Sequence, residues 1–510
     1  MGRSLNGPIR FMVLVIVGAM GLTSRATGLQ IPADPSPSEI RVLARGPIHE
    51  AYLGPILFNP SHGIVATQAP PSTLIEELPQ ELRPEGIQVE WIPGNWAWDH
   101  QQRSFLWVSG VWRDVPPGRQ WIPGYWSQVP TGSLWTPGFW ASGANRGRFE
   151  YLPAPPASLE TGPNTPQPWP DSSWVPGSWA WDQDRYVWRP GSWLRANPDW
   201  VWTPGRSLTT PAGSLDIDGY WDYPVASRGL AFAPVAFGPS VIARGDFSYT
   251  PTEVLSAEGL LTSLRLQPED GSYSFGNPAD SGSRGPGSIG VPWFEIQKAG
   301  IGYDPVYGSM SALNARRPEW DRKLREDYRD RLEGRPALSS SKSDLIQPFH
   351  EWATRTGSSP RPAPLKALER AALVRRQSDI QAFRREREAL EAPAQSSTGT
   401  APELDRPRGI DFPRSPIASR IATKPESPAS DSTSDRAIHQ RVNQSFRPTI
   451  ERQAAAIRRD RTHDHPEPEA AASRSEVHEK PAAPGIGAPA HEEPGPPRPL
   501  PDHGPGPRPM

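Results

Sequence analysis

The 510-residue chain contains no cysteine. That excludes disulfides, thiolate metal sites, a cysteine nucleophile and a lipid-bearing N-terminal cysteine. Net charge is also nearly absent, at −2, which argues against a general binder of nucleic acid or acidic lipid. Hydrophobic residues make up only 36%. Much of the chain therefore cannot bury enough apolar surface to offset its ordering entropy, and one large globular domain is not expected. Long apolar runs are missing but for Phe11 to Leu22, which falls short of the ~20 residues that cross a bilayer. Arg3 and Arg10 flank its start and Ala26-Thr27-Gly28 offers a cleavage site. Residues 1–28 thus read as a signal peptide, and no transmembrane span is expected in the mature chain.

Against these shortages stand 65 Pro, 45 Gly and 21 Trp. Eighteen of the Trp lie between Trp91 and Trp221, fourteen of them in copies of a six-residue unit W-x-P-G-x-W. Full copies are Trp91-Ile-Pro93-Gly94-Asn-Trp96, Trp121-Ile-Pro123-Gly124-Tyr-Trp126, Trp135-Thr-Pro137-Gly138-Phe-Trp140, Trp174-Val-Pro176-Gly177-Ser-Trp179 and Trp188-Arg-Pro190-Gly191-Ser-Trp193. Trp107-Val-Ser-Gly110-Val-Trp112 lacks the proline. Trp202-Thr-Pro204-Gly205-Arg-Ser207 lacks the second Trp, and Asp216-Ile-Asp-Gly219-Tyr-Trp221 keeps only the end. The units start at 91, 107, 121 and 135, then at 174, 188, 202 and 216. They form two arrays of four, 91–140 and 174–221, separated by a Pro-rich linker, 153–170. Asn95-Trp96-Ala97-Trp98-Asp99 recurs as Ser178-Trp179-Ala180-Trp181-Asp182, so the arrays read as a duplication.

Pro-Gly is a turn dipeptide, because Pro presets φ and Gly accepts φ > 0. As a hairpin loop it would pair the two Trp of one unit on one face. L-Pro-Gly favours a type II turn, however, whose twist suits a tight hairpin poorly. The alternative is a corner between short strands, with Trp pairs meeting across neighbouring units. Either way a single unit cannot bury its own indoles, so neighbours must share aromatic faces. The expected fold is mainly β: a short-strand meander over 87–224, in which the Trp are chiefly core.

The W-x-P-G-x-W units resemble the exported bacterial YXWGXW (WXXGXW) repeat proteins, and in particular their long planctomycete-type members. Further elements are similar to that group: Arg45-Gly-Pro-Ile-His-Glu-Ala51, Ala69-Pro70-Pro71, Arg113 after Trp112, Pro116-Pro117-Gly118-Arg119, and Tyr220-Trp221-Asp222-Tyr223-Pro224. So are Phe232-Ala-Pro-Val-Ala-Phe237, Pro292-Trp293-Phe294 and Tyr303-Asp304-Pro305-Val306-Tyr307. The resemblance spans residues 43–335 and implies an exported protein. It carries over no catalytic residue. Ser207 and Asp216 depart from the repeat, so the last two units are expected to pack less well.

Residues 29–86 read as an extended Pro-rich lead-in, and 225–316 as a β/loop region packing on the repeats, with a helix within Thr252 to Leu266. A helix over 317–334 is expected from Pro318 at its start, Gly334 past its end, and Trp320, Leu324, Tyr328 and Leu332 on one stripe. A second helix over 365–392 has its apolar stripe interrupted by Arg376 and Arg387. It is therefore expected to be solvated within a largely disordered tail, 335–510, that holds another short helix at 440–461.

Candidate chemistry is sparse. Gly285-Pro-Gly-Ser-Ile-Gly290 has the letters of a dinucleotide loop but lacks the strand–helix setting. Asp182 and Asp184, like Asp216 and Asp218, read as turn formers rather than calcium ligands. No nucleophile–base–orienter spacing is present. The expectation is a non-catalytic envelope protein with no cofactor and no metal, contacting an envelope protein or a cell-wall polymer, and no nucleic acid. The alternative is a glycan- or wall-binding module that uses exposed Trp faces.

Overall fold

The computed structural model describes residues 39–420, apart from 61–62, 80–81, 101, 245–246, 269–270, 278–289, 334–344, 355–359, 393–403 and 405. The expected signal peptide, the helix at 440–461 and all of Gly285–Gly290 except Gly290 lie outside the described residues. The described part is mainly β, built from small sheets of two to four strands, nearly all antiparallel.

Two repeat units make one hairpin. In the first, Val89–Ile92 pairs with Val111–Asp114, and Asn95–Asp99 pairs with Ser104–Val108. Trp91 thus faces Trp112, and Trp96 faces Trp107. The second hairpin repeats this with Trp121 opposite Trp140 and Trp126 opposite Trp135. In the third, Trp174 meets Trp193 and Trp179 meets Trp188. The fourth keeps only Trp202 opposite Trp221, and sets Ser207 against Asp216. All seven Trp pairs pack at 5.1–5.5 Å between ring centroids, mostly edge-on.

Pro-Gly is therefore the corner and not the hairpin loop. Both strands of each hairpin bend there, and the ladder breaks into an inner and an outer pair. The true loops lie elsewhere. Gln183 and Asp184 connect Asp182 to Arg185 with φ of 47° and 59°, the conformation of a type I′ turn. Pro130-Thr131 and Pro211-Ala212 close the second and fourth hairpins, each followed by a glycine with positive φ, Gly132 and Gly213.

Segments on both sides of the repeats complete these sheets. Ile40–Val42 and Val235–Phe237 extend the first hairpin, and Ile64–Ala66 extends the second. The lead-in supplies buried Ile48, Ala51, Tyr52, Leu53 and Leu74, so it is core rather than approach. The region expected to be tail is also corrected. The helix Ala367–Glu391 buries Leu373, Ile380, Phe383, Arg387 and Glu391 instead of standing in solvent. Beyond it, Arg408–Asp411 adds to the strand Arg148–Leu152, burying Ile410 and Phe412. A segment too polar to build a core can still complete one by pairing with an open sheet edge. The helix Pro318–Leu332 forms as expected, with Tyr328 buried and Trp320 stacked on Tyr307. Thr252 to Leu266 holds a shorter helix, Ala257–Leu261, between two strands.

Candidate functional site

The corners set the chemistry of the molecule. None of the eight repeat glycines takes a positive φ, so backbone freedom is not why glycine stands there. Close approach is. The first Trp of each intact unit lies over the glycine of the opposing unit. A Cβ at Gly110 would meet Trp91 at 2.5 Å, one at Gly138 would meet Trp121 at 2.5 Å, and one at Gly191 would meet Trp174 at 2.5 Å. Gly94, Gly124, Gly177 and Gly219 are blocked in the same way by Trp107, Trp135, Trp188 and Trp202. Gly205 differs: Asp216 stands where its indole would be, and its nearest neighbour is a backbone oxygen at 3.1 Å.

A broken ladder strands backbone groups, and stranded buried groups need partners. On the N–H side the partner is a carboxylate. Glu76 accepts from Gly94 N at 2.7 Å, Gly110 N at 2.9 Å and Trp107 Nε1 at 3.1 Å. Glu50 accepts from Gly138 N at 2.7 Å and Trp135 Nε1 at 2.6 Å. Glu160 accepts from Gly177 N at 2.5 Å and Trp174 Nε1 at 2.9 Å. One rule covers all three: the indole N–H of a unit's first Trp and the amide of the glycine three residues on converge on one carboxylate. In one unit of each of the first three hairpins W-x-x-G is thus a carboxylate clamp holding one glutamate, whereas in the opposing units Trp91 and Trp121 bury Nε1 with no partner among the described residues.

On the carbonyl side the partners are cationic or imidazole groups. Arg387 donates to Pro123 O at 2.9 Å and Pro137 O at 3.1 Å, while Arg384 donates to Gly94 O at 3.1 Å. His49 donates Nε2–H to Pro93 O, since its Nδ1 accepts from Ala51 N. Arg119 donates to Asp218 O and Gly219 O in the fourth hairpin. The arginines that seemed to spoil the stripe of the helix Ala367–Glu391 are the groups that dock it. Arg387 is fully buried, held by Glu391, which also accepts from Tyr125 and Tyr151, and by the faces of Tyr125 and Phe139.

Burial dominates the titration of these groups. It pushes Glu76 up to about 7 against the lowering effect of its three N–H donors, and it lowers His49 to about 3. A second buried network ties the arrays together. Asp222 pairs with Arg113 and Arg228, whose other nitrogens donate to Ala51 O and Tyr52 O.

The Pro-rich segments are straps rather than spacers. Trp96 Nε1 donates to Ser72 O at 2.9 Å, four residues ahead of Glu76. Its counterpart Trp179 donates to Ala157 O at 3.0 Å, three ahead of Glu160. Trp193 Nε1 holds Thr165 O, and Tyr186 Oη holds Pro153 O. The signal for this was in the sequence and lay outside the repeat: Ala69-Pro-Pro-Ser-Thr-Leu-Ile-Glu76 recurs as Ala154-Pro-Pro-Ala-Ser-Leu-Glu160, once ahead of each array. Glu50 and the arginines had no such signal, since only the fold brings them to a corner.

A family model described as WXXGXW repeat (2 copies) matches residues 91–113, 121–141 and 174–193. The chain is a WXXGXW repeat-containing protein. Each match coincides with one of the first three hairpins, so two WXXGXW copies are one folding unit. The fourth hairpin, broken at Ser207 and Asp216, is not matched. No curated protein and no solved structure matches the chain.

The WXXGXW indoles are not equally covered. Trp91, Trp96, Trp107, Trp112, Trp121, Trp135, Trp140 and Trp174 are buried, whereas Trp126, Trp179, Trp188, Trp193, Trp202 and Trp221 are half-buried. The second array thus presents the partly open face. A cleft between Phe58, Pro155, Trp179, Trp188 and Arg206 offers about 30 Å³ of space for water, room for a molecule or two of water. Asp182 and Asp184 serve the turn described above. Among the described residues no group of three His, Asp or Glu side chains gathers as metal ligands.

Proposed function

We propose that this is an exported, non-catalytic interaction protein of the bacterial cell envelope, a rigid WXXGXW scaffold that contacts an envelope protein or wall polymer. The observation that carries the reading is how the buried and half-buried ionisable groups are used. Glu50, Glu76, Glu160, Arg113, Arg384 and Arg387 are each committed to backbone groups of the fold itself. An acid–base pair meant for a substrate would instead face a cleft with room for one. Export rests on the N-terminal leader described above. Its test is the N-terminus of the protein recovered from an envelope fraction. A start near residue 29 supports the proposal, and an intact Met1 in a cytoplasmic fraction overturns it.

A second reading has one observation in its favour: five half-buried WXXGXW indoles, three of them in intact units, lie on the second array. Such faces stack sugar rings. Wall fragments or soluble polysaccharide would then shift Trp emission at millimolar concentration, and an unchanged spectrum removes this reading.

A further inference from the structure

The fourth hairpin has the clamp without the carboxylate. Trp202-Thr-Pro-Gly205 is a complete W-x-x-G frame, the same frame that grips Glu76, Glu50 and Glu160 through Trp107/Gly110, Trp135/Gly138 and Trp174/Gly177. Among the described residues no carboxylate accepts from Trp202 Nε1, Gly205 N or Gly219 N. The carbonyl side of the same corner is served in the usual way, by Arg119 on Asp218 O and Gly219 O. One half of the corner's pairing is thus in place and the other is open.

Three further features fit the open half to a ligand. Trp202, Gly205, Arg206 and Ser207 are all half-buried rather than sealed. Gly205 is the one repeat glycine with no indole over it, because Asp216 replaces that Trp. Arg206 follows Gly205 directly and lines both the cleft beside Trp179 and Trp188 and the cavity beside Glu50, whose charge acts on it; among the described residues it makes no ion pair or hydrogen bond. The carboxylates of Asp216 and Asp218 on the opposing strand are exposed to solvent. An amide and an indole N–H in the frame that grips a carboxylate in the other hairpins, with a guanidinium on the next residue, make a receptor for a single carboxylate.

We propose that the fourth hairpin binds a glutamate borne on an extended, proline-rich segment of a partner protein. The occupant's class follows from the two straps. Each is a Pro-Pro segment that offers a carbonyl to a corner indole and then places a glutamate in the clamp three or four residues later. A free carboxylate would have the charge but not the extended backbone, whose low entropy on binding is the advantage of proline-rich ligands. The proposal rests on the reading of the protein as an interaction scaffold. Its test needs only the purified chain, so failure of the binding and failure of the envelope assignment are separate results.

The probe is the peptide Ala-Pro-Pro-Ala-Ser-Leu-Glu-Thr-Gly-Pro, a copy of residues 154–163, titrated into the full chain while the indole N–H resonances are followed. The Trp202 signal is expected to move toward the hydrogen-bonded position of Trp135 and Trp174, with Trp174 itself unmoved. The same peptide with Gln for Glu is expected to bind about tenfold more weakly or worse, as is the wild-type peptide to Arg206→Gln. The peptide arm does not depend on any protein variant folding. Equal affinity of the Glu and Gln peptides, or a shift at Trp174 in place of Trp202, overturns the proposal. So does a Trp202 signal already in the bonded position in a self-associated chain before peptide is added, which would assign the clamp to a second copy.

Discussion

At the residue scale, one glycine and one tryptophan three positions apart carry the design. Glycine is required because an indole edge occupies the volume of its Cβ, and tryptophan because its ring both seals the corner and supplies an N–H to the glutamate. The two requirements make unequal glycines. Gly191→Ala, with its methyl driven into Trp174, is expected to destabilise by about 1–3 kcal/mol, the usual cost of overpacking. Gly205→Ala, with no indole above it, is expected to cost less than about 1 kcal/mol. Chemical denaturation followed by Trp emission compares them, and equal losses would show that backbone freedom matters after all. His49 gives the second residue-level prediction. Folded His49 resists protonation because it is buried, with Arg384 near it and its Nδ1 already accepting from Ala51 N. The unfolded chain takes up that proton below pH 6.5, so its contribution to stability is full above that pH and falls as pH drops toward 3. Glu76 acts in the opposite sense, its contribution falling as pH rises from 4.5 through about 7. NMR titration of the folded protein separates the two. The His49 ring should show no transition between pH 5 and 8, and a midpoint near 6.5 would refute the buried neutral imidazole.

At the element scale, the unit of structure is the bent hairpin of two repeats together with the groups that service its corners. A glutamate arrives on a strap or loop, and an arginine or histidine from another element takes the carbonyls. Arg387 of the helix Ala367–Glu391 serves Pro123 and Pro137 at once. Arg387→Met would leave Glu391 buried without its cation and strand both carbonyls. A loss of about 3–5 kcal/mol is expected, as for other broken buried pairs. Adding Glu391→Gln should recover part of that loss, because the uncompensated charge goes with it. A double-mutant cycle by denaturation reads this, and strict additivity would mean the pair is not coupled. The helix pattern was visible in the sequence, since no Pro or Gly interrupts residues 367–391. Its docking was not, because arginine on an apolar stripe reads as solvation unless stranded carbonyls are known to wait opposite.

At the scale of the whole molecule, the two arrays are joined by segments distant in sequence. Tyr52 and Ala51 lie between them, held by Arg113, Arg228 and Asp222, while the helix Ala367–Glu391 packs on the first array and the strand Arg408–Asp411 on the strand that follows it. A boundary drawn at 85–335 would discard Glu50, Glu76, Arg384 and Arg387, the partners of the corners in the first two hairpins. Limited proteolysis is therefore expected to leave a resistant core that retains 39–84 and 345–420. A chain ended at residue 335 should show red-shifted Trp emission. A stable, blue-emitting fragment of 85–335 would contradict the assignment of those flanks to the core.

The period of the repeats, their grouping into fours, the burial of the indoles and the mainly β class were determined by the sequence alone. Spacing and residue type are local, and a fourteen-residue step with two Trp has few ways to hide its surface. Even the turn chemistry of Gln183-Asp184 was legible, as was the helix begun by Pro318. What only the tertiary structure decided was which Trp face which, that Pro-Gly bends a strand instead of closing a hairpin, and why the glycines are glycines. Those facts depend on where carboxylates and guanidiniums from up to 290 residues away meet backbone groups that a bend has left unpaired. Sequence distance carries no record of that meeting, because long-range hydrogen bonds constrain single residues and leave no period behind.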